Sequence, residues 1–268
     1  MNNSIITHFN RGASHYSDTA RIQKRIALHL LDLVMRDLYS CRGFTADIKE
    51  KPFKSCLDLG CGPGVNFKEL IQIAGEVTGI DIADEMIARA SELGIAGTGA
   101  IKGNMENTGL DGKFDLIYSS LAIQWCNLEI ALNEIRRLIN EGKNTHKRVC
   151  VGISLPVSGT LQELRQAFRT IKGKERINRF FSPEEIKEKV DRIFFNGLKI
   201  AVDNFTDSYN DIRNYLGSIR NIGANCTTLH QPLTRSEYND LIKYLTDELF
   251  KRGKLSNKYS IVFIYGTI

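Results

Sequence analysis

The chain has 268 residues, 42% of them hydrophobic and 25% charged, with a formal net charge of +5. That balance excludes an extensively disordered chain, and the length suits one α/β core carrying appended elements. The six cysteines (41, 56, 61, 126, 150, 226) form no CxxC pair and the five histidines lie scattered away from them, so free thiols are expected and no metal site. The first eight residues hold neither a basic nor an apolar stretch, and no apolar run reaches membrane-spanning length. A cytoplasmic protein without a membrane partner is expected. The basic excess suits nucleic acid, an acidic protein, an anionic substrate or simply a solvated surface, and its sign alone does not choose.

From Ala20 to Leu38 the apolar positions Ile22, Ile26, Leu30, Leu33, Val34 and Leu38 recur at helical spacing opposite Lys24, Arg25, Asp32 and Arg36, which predicts an amphipathic helix. Strands are predicted at Ser55–Leu59, Glu76–Asp81, Ala100–Lys102, Phe114–Ser119 and Val149–Ser154, alternating with helices at Val65–Ala74, Ala83–Leu93 and Glu129–Asn140. Such alternation implies a parallel sheet with helices on both faces. Later residues predict helices at Leu161–Ile171, Pro183–Val190, Tyr209–Asn221 and Arg235–Phe250, with strands near Leu198–Phe205 and Tyr259–Tyr265. No repeat or linker divides the chain. The expected organisation is one domain over 1–268: a lid (1–40), a cofactor-binding core (53–155), cap helices with one strand (156–257) and a closing strand (258–268).

Gly60, Gly62 and Gly64 follow the first core strand directly, in Cys56-Leu57-Asp58-Leu59-Gly60-Cys61-Gly62-Pro63-Gly64. Glycines there let the backbone turn sharply and approach a ligand before the next helix begins. Asp58, two places before the first glycine, suits an ammonium group better than a pyrophosphate, unless it caps the loop amides instead. Asp81 ends the second strand, where an acid accepts both ribose hydroxyls, and Ile82 covers one adenine face or is simply buried. In Gly103-Asn104-Met105-Glu106, Asn104 either meets the adenine edge or braces its own turn. A ligand with an ammonium group, a ribose and an adenine is S-adenosyl-L-methionine. The loop is also shorter than the GxGxxG of nicotinamide enzymes.

With Phe114-Asp115-Leu116-Ile117-Tyr118-Ser119-Ser120-Leu121-Ala122-Ile123-Gln124-Trp125 the chain resembles the class I S-adenosylmethionine-dependent methyltransferases, and more narrowly the malonyl-acyl-carrier-protein O-methyltransferases of biotin synthesis. The resemblance runs almost end to end. It is carried also by Phe9-Asn10-Arg11-Gly12-Ala13-Ser14-His15-Tyr16, Gly159-Thr160-Leu161-Gln162-Glu163-Leu164, Asn178-Arg179-Phe180, Ile219-Arg220-Asn221-Ile222-Gly223-Ala224-Asn225 and Pro232-Leu233-Thr234-Arg235. Two positions depart from the family pattern: Asn104 stands where an acid is common, and Arg220 where lysine is expected.

The resemblance implies a Rossmann-like seven-stranded sheet, mostly parallel with an antiparallel last strand, and methylation of the free malonyl carboxylate on acyl carrier protein. The ester so formed starts pimeloyl synthesis for biotin. It implies a cofactor set of Arg11, Asp58, Gly60, Cys61, Gly62, Gly64, Asp81, Ile82, Asn104, Met105 and Ser119, with no metal. Tyr16 and Trp125 are expected to wall the methyl-transfer chamber as its catalytic residues. Arg179, Arg220 and Gln124 are expected to hold the substrate, since a guanidinium clamps two carboxylate oxygens in one plane. An acidic carrier protein would meet the basic stretch Lys172, Lys174, Arg176, Arg179, Lys187 and Lys189, unless these are ordinary solvated surface. A related branch resembles the respiratory complex I assembly factor, through Lys258-Tyr259-Ser260-Ile261-Val262-Phe263, and methylation of another small acid or a quinone precursor shares the same cofactor site. Ser119-Ser120-Leu121-Ala122 stands where a base-modifying enzyme would carry Asn/Asp-Pro-Pro-Tyr, which argues against a nucleic-acid partner.

Overall fold

The computed structural model describes residues 6–7, 9–10, 21–42, 51–143, 148–172, 177–221, 233–253 and 255–268. The strands are β1 (Phe53–Leu59), β2 (Ala74–Asp81), β3 (Thr98–Lys102), β4 (Leu116–Ser120), β5 (Cys150–Pro156), β6 (Lys199–Ser208) and β7 (Ser256–Thr267). They form one sheet in the order β3-β2-β1-β4-β5-β7-β6. β1 pairs in parallel with both β2 and β4, and β7 runs antiparallel to β5 and β6. This is the Rossmann-like arrangement expected, with the strand order reversing between β1 and β4.

β5 is buried at every position and β1 at all but Lys54. Strands buried to that extent need cover on both faces. On one face lies α1 (Arg21–Arg42), whose Ile22, Ile26, Leu30, Val34 and Leu38 recur every four residues and are all 3% exposed or less. Each such buried aliphatic side chain contributes about 1.5–3 kcal/mol. Polar contacts fix where α1 lies. Tyr118 Oη donates to the Ala27 carbonyl at 3.1 Å. His29 Nε2 lies 2.9 Å from Asp203 Oδ2 of β6, and Arg21 pairs with Asp207. The opposite face is covered by α4 (Leu128–Lys143) and α6 (Pro183–Phe194), whose buried side chains join those of β1, β4 and β5. Ser182 and Glu185 close a capping box at the α6 start, with Pro183 just inside the helix.

The remaining helices are α2 (Phe67–Ile73), α3 (Asp84–Glu92), α5 (Gln162–Lys172), α7 (Ile212–Asn221) and α8 (Arg235–Tyr244). Three local departures from expectation stand out. A short 3-10 turn, Ile123–Trp125, follows β4. Leu161 sits outside α5 with φ 56°, so the helix starts one residue later. The expected helix to Phe250 is α-helical only to Tyr244 and then widens into a π-turn over Leu245–Phe250, where Thr246 Oγ1 donates back to the Ile242 carbonyl at 2.7 Å.

Candidate active site

A single continuous cleft opens at the carboxyl ends of the parallel strands, where the strand order reverses. One half is formed by Gly60, Cys61 and Gly62 after β1, Asp81 and Ile82 at the end of β2, and Gly103, Asn104 and Met105 after β3. The other lies over β4, β5 and β7 and is formed by Ile22, Gln23 and Ile26 of α1 with Leu121, Pro156, Leu161, Phe180 and Ile261. Trp125 and Phe9 line it too, the rings meeting edge to face at 5.4 Å and 84°.

The glycine loop is held against β2. Gly60 and Cys61 donate their amides to the Ile80 carbonyl at 2.8 and 3.1 Å. Asp81 Oδ2 accepts the Gly62 amide at 3.0 Å and Oδ1 accepts the Ala83 amide at 2.9 Å. Burial pushes the Asp81 carboxyl up, and these amides pull it back. The glycines are required for different reasons. Gly60 has φ 74°, and a Cβ there would lie 2.3 Å from the Ala122 Cβ, so it is a packing glycine. Gly62 has φ 54° and no heavy atom within 4 Å of that position, so its open side belongs to the cleft. Gly64 is not among the residues lining the cleft; the Cβ position at Gly64 backs onto Phe67 and Leu93.

Beneath the loop, Asp58 is fully buried and neither carboxylate oxygen has a hydrogen-bond partner. Burial, and after it the charge of Asp81, pushes its carboxyl up to about 8. An unpartnered buried carboxylate is costly unless it meets a cation or a proton. Asp81 at a strand end and the open Gly62 line the cleft and fit a cofactor that brings a ribose; Asp58 lies beneath the loop, outside the cleft lining, as a buried acid that fits the cofactor's ammonium. Asn104 lines the cleft, but its Oδ1 accepts the Glu106 amide at 2.9 Å, so the side-chain carbonyl braces its own turn.

Several expected positions are displaced. Ser119 is 1% exposed and donates to the Leu59 carbonyl at 2.9 Å, tying β4 to β1; its neighbour Ser120 lines the cleft. Arg179 points outward, its side chain 88% exposed and 3.6 Å from Glu185, while Asn178 and Phe180 on either side face inward. Gln124 lines the cleft, but its Nε2 donates to the Leu121 carbonyl at 2.6 Å and its Oε1 is buried without a partner, so it has no free donor for a carboxylate. Of the basic stretch, Lys187 pairs with Asp191 and Lys189 with Glu129. Arg11, Tyr16, Lys174 and Arg176 fall outside the described residues, as do the side chains of Lys172 and Arg220.

Sequence reading did not single out Gln23, Ser120, Leu161 or Phe180. One backbone signal marks this region: Leu121 (φ 52°) and Leu161 (φ 56°) occupy the left-handed region and both line the cleft. Each costs about 1–2 kcal/mol over ordinary backbone, strain of the kind that concentrates at functional sites.

Fold and cleft together define a Rossmann-like class I methyltransferase, and residues 57–144 match the family model described as Methyltransferase domain. The YcgJ protein from Bacillus subtilis superposes with a TM-score of 0.59 at 17% identity, over 89% of this chain and 97% of that one. A putative methyltransferase from Bacillus halodurans gives 0.55 at 10% identity, over 81% and 92%. Among curated proteins, the malonyl-[acyl-carrier protein] O-methyltransferase of Pseudescherichia vulneris is 30% identical over 245 residues, 89% of this chain and 87% of that protein. The enzyme of the same name from Hamiltonella defensa is 30% identical over 85% of this chain and 79% of its own length. The chain belongs to the malonyl-[acyl-carrier protein] O-methyltransferase family.

Proposed function

We propose that the protein methylates the free carboxylate of a malonyl group carried on acyl carrier protein, supplying the methyl ester from which pimeloyl synthesis for biotin starts. The observation that carries this reading is the extent of the family likeness, which covers 89% of the chain and so includes the cap as well as the cofactor core. S-adenosyl-L-methionine, when bound, supplies a methyl group on a sulfonium that the acceptor oxygen displaces. The bond that forms joins a carboxylate oxygen to the methyl carbon, and the bond that breaks joins that carbon to sulfur. Positive and negative charges cancel and no proton moves, so no general base is required.

What the chain contributes is position and exclusion of water. Asp58 and Asp81 hold the ammonium and the ribose, and Gly62 leaves room for close approach. Trp125 and Phe9, with the aliphatic wall of Ile22, Ile26 and Ile261, enclose the reacting groups. Alignment of this kind supplies roughly 7–11 kcal/mol of barrier lowering in favourable cases. Acyl carrier protein as the partner, and Tyr16, Arg11 and Arg220 as further contacts, belong to the same proposal. The test is incubation of malonyl-acyl carrier protein with S-adenosylmethionine and mass detection of a gain of one methyl group. The product should lose that methyl group on ester hydrolysis, and no methylation of any malonyl thioester would overturn the assignment.

A further inference from the structure

We propose that Gln23, in the first turn of α1, binds the acceptor carboxylate by donating its side-chain amide, and so holds the nucleophile through a neutral contact. The inference rests on the acceptor assignment above. Gln23 is 7% exposed, lines the cleft, and its Oε1 has no hydrogen-bond partner. Nε2 is not among the buried unpartnered atoms and makes no hydrogen bond among the described residues, so it is the end of the amide free to donate to an anion.

Of the other polar groups in the acceptor half, Thr160, Ser120 and Gln124 are committed, while the buried Tyr259 Oη of β7 has no hydrogen-bond partner. Thr160 Oγ1 donates to the Ser260 carbonyl at 2.9 Å and accepts the Ser260 amide at 3.1 Å. Ser120 Oγ lies 3.0 Å from Ser154 Oγ. Gln124 Nε2 is spent on the Leu121 carbonyl at 2.6 Å. Among the described residues that line the cleft there is no lysine or arginine.

A neutral donor also suits the reaction. The carboxylate loses its charge as the ester forms, so an ion pair would stabilise the ground state more than the transition state and slow transfer. An amide orients the oxygen at a smaller ground-state cost. α1 is a firm support for that contact, since Ile22 and Ile26 beside Gln23 are buried and Arg21 is tied to β6.

The experiment compares the wild type with Gln23→Met and Gln23→Glu, using malonyl-acyl carrier protein as acceptor. Binding of S-adenosylhomocysteine by calorimetry and thermal melting serve as controls. Gln23→Met should lower kcat/KM for the acceptor by roughly tenfold to a hundredfold, the value of a hydrogen bond to a charged group, with cofactor affinity and melting temperature unchanged. Gln23→Glu should be worse than Gln23→Met, because it sets a carboxylate against a carboxylate, and lowering the pH should partly restore it. A wild type that forms no ester overturns the acceptor reading and this inference with it. An active wild type with Gln23→Met at full kcat/KM, or Gln23→Glu no worse than Gln23→Met, overturns the Gln23 assignment alone.

Discussion

Asp81 Oδ2 accepts the Gly62 amide at 3.0 Å, so the acid that ends β2 fixes the open glycine of the loop after β1. The two motifs that suggest a cofactor site are therefore one mechanical unit, completed by the Ala83 amide on Oδ1. Replacing Asp81 by alanine leaves both amides without their acceptor, at about 1–3 kcal/mol for each that stays buried. Asp81→Ala should lower the melting temperature as well as weaken S-adenosylhomocysteine binding by more than a hundredfold. Asp81→Asn, which keeps an acceptor for one amide, should recover part of the stability and little of the affinity. Calorimetric titration beside a melting curve checks both; full affinity in Asp81→Ala would place the ribose elsewhere.

Gly60 and Gly62 should separate stability from binding. An alanine at 60 meets the Ala122 Cβ and the Met105 Cε at 2.3 and 2.8 Å in addition to its positive φ, so the loop must move. Gly60→Ala is expected to lose about 3 kcal/mol or more of stability. Gly62→Ala meets no neighbour and should lose only about 1–2 kcal/mol, while losing cofactor affinity because its Cβ enters the cleft. Denaturant unfolding of both variants, followed by titration with S-adenosylhomocysteine, tests that contrast. Equal effects on both quantities at both positions would refute it.

Asp58 gives a pH dependence whose sign is fixed. Its carboxyl moves from 3.8 when unfolded to about 8 in the folded, cofactor-free protein. Between those values the native state holds a proton that the unfolded chain releases, so stability from this group falls as pH rises from 4 to 8. Asp58→Asn should flatten that slope and melt higher than the wild type at pH 8 without cofactor. An ammonium-bearing ligand needs the ionised form, so its affinity for the wild type should rise from pH 6 to 8 with release of a proton. Calorimetry in buffers of different ionisation enthalpy reads that proton directly. A pH-independent affinity with no proton released would show that Asp58 is already ionised or does not meet the ligand.

Much of the sheet was legible because its period is simple. β5 is a largely apolar run, β1 carries its apolar residues in and beside Cys56-Leu57-Asp58-Leu59, and α1 repeats every fourth position, so burial on two faces or on one stripe follows directly. Asp81, Ile82 and Met105 were placed in the cleft because the carboxyl ends of parallel strands converge there. Ser119 and Ser120 could not be told apart, since a shift of one residue at a strand end reverses which side chain faces the cleft. Arg179 points outward for a related reason: Asn178-Arg179-Phe180 has no periodicity, and which side chain turns inward depends on the fold around it. Gln23 lies beside a stripe of Ile22, Ile26, Leu30, Val34 and Leu38 whose helical spacing speaks for packing and is silent on an amide next to it.

Arg179 should accordingly be dispensable for chemistry. An ion pair with Glu185 this exposed contributes within about 0–1 kcal/mol, and its geometry aims away from the cleft. Arg179→Ala should keep kcat and melting temperature on a small malonyl thioester. A loss confined to the carrier-protein substrate, and growing smaller at high salt, would assign Arg179 to docking; a loss of kcat on the small thioester would return it to the active site.

Glu134 holds the loop that carries Asn104 and Met105 from the far side. Its Oε1 accepts the Thr108 amide at 2.8 Å and its Oε2 accepts Arg137 Nε at 2.8 Å. Hydrogen bonding from Arg137, followed by that from Thr108, outweighs burial and pulls the carboxyl down to about 2. A lowered folded value means stability that is present above 4.5 and lost as pH falls through about 2, so Glu134→Gln should reduce acid resistance in that window and leave the wild type and variant closer together below it. At neutral pH the variant should also bind S-adenosylhomocysteine several-fold more weakly, because the strap from Gly103 to Leu110 is then anchored by Arg137 to the Leu110 carbonyl with the carboxylate gone. Unfolding midpoints from pH 2 to 7 with matched titrations decide it: an unchanged affinity with lower stability would confine Glu134 to holding the fold, and no change in either would dissolve its link to the cleft.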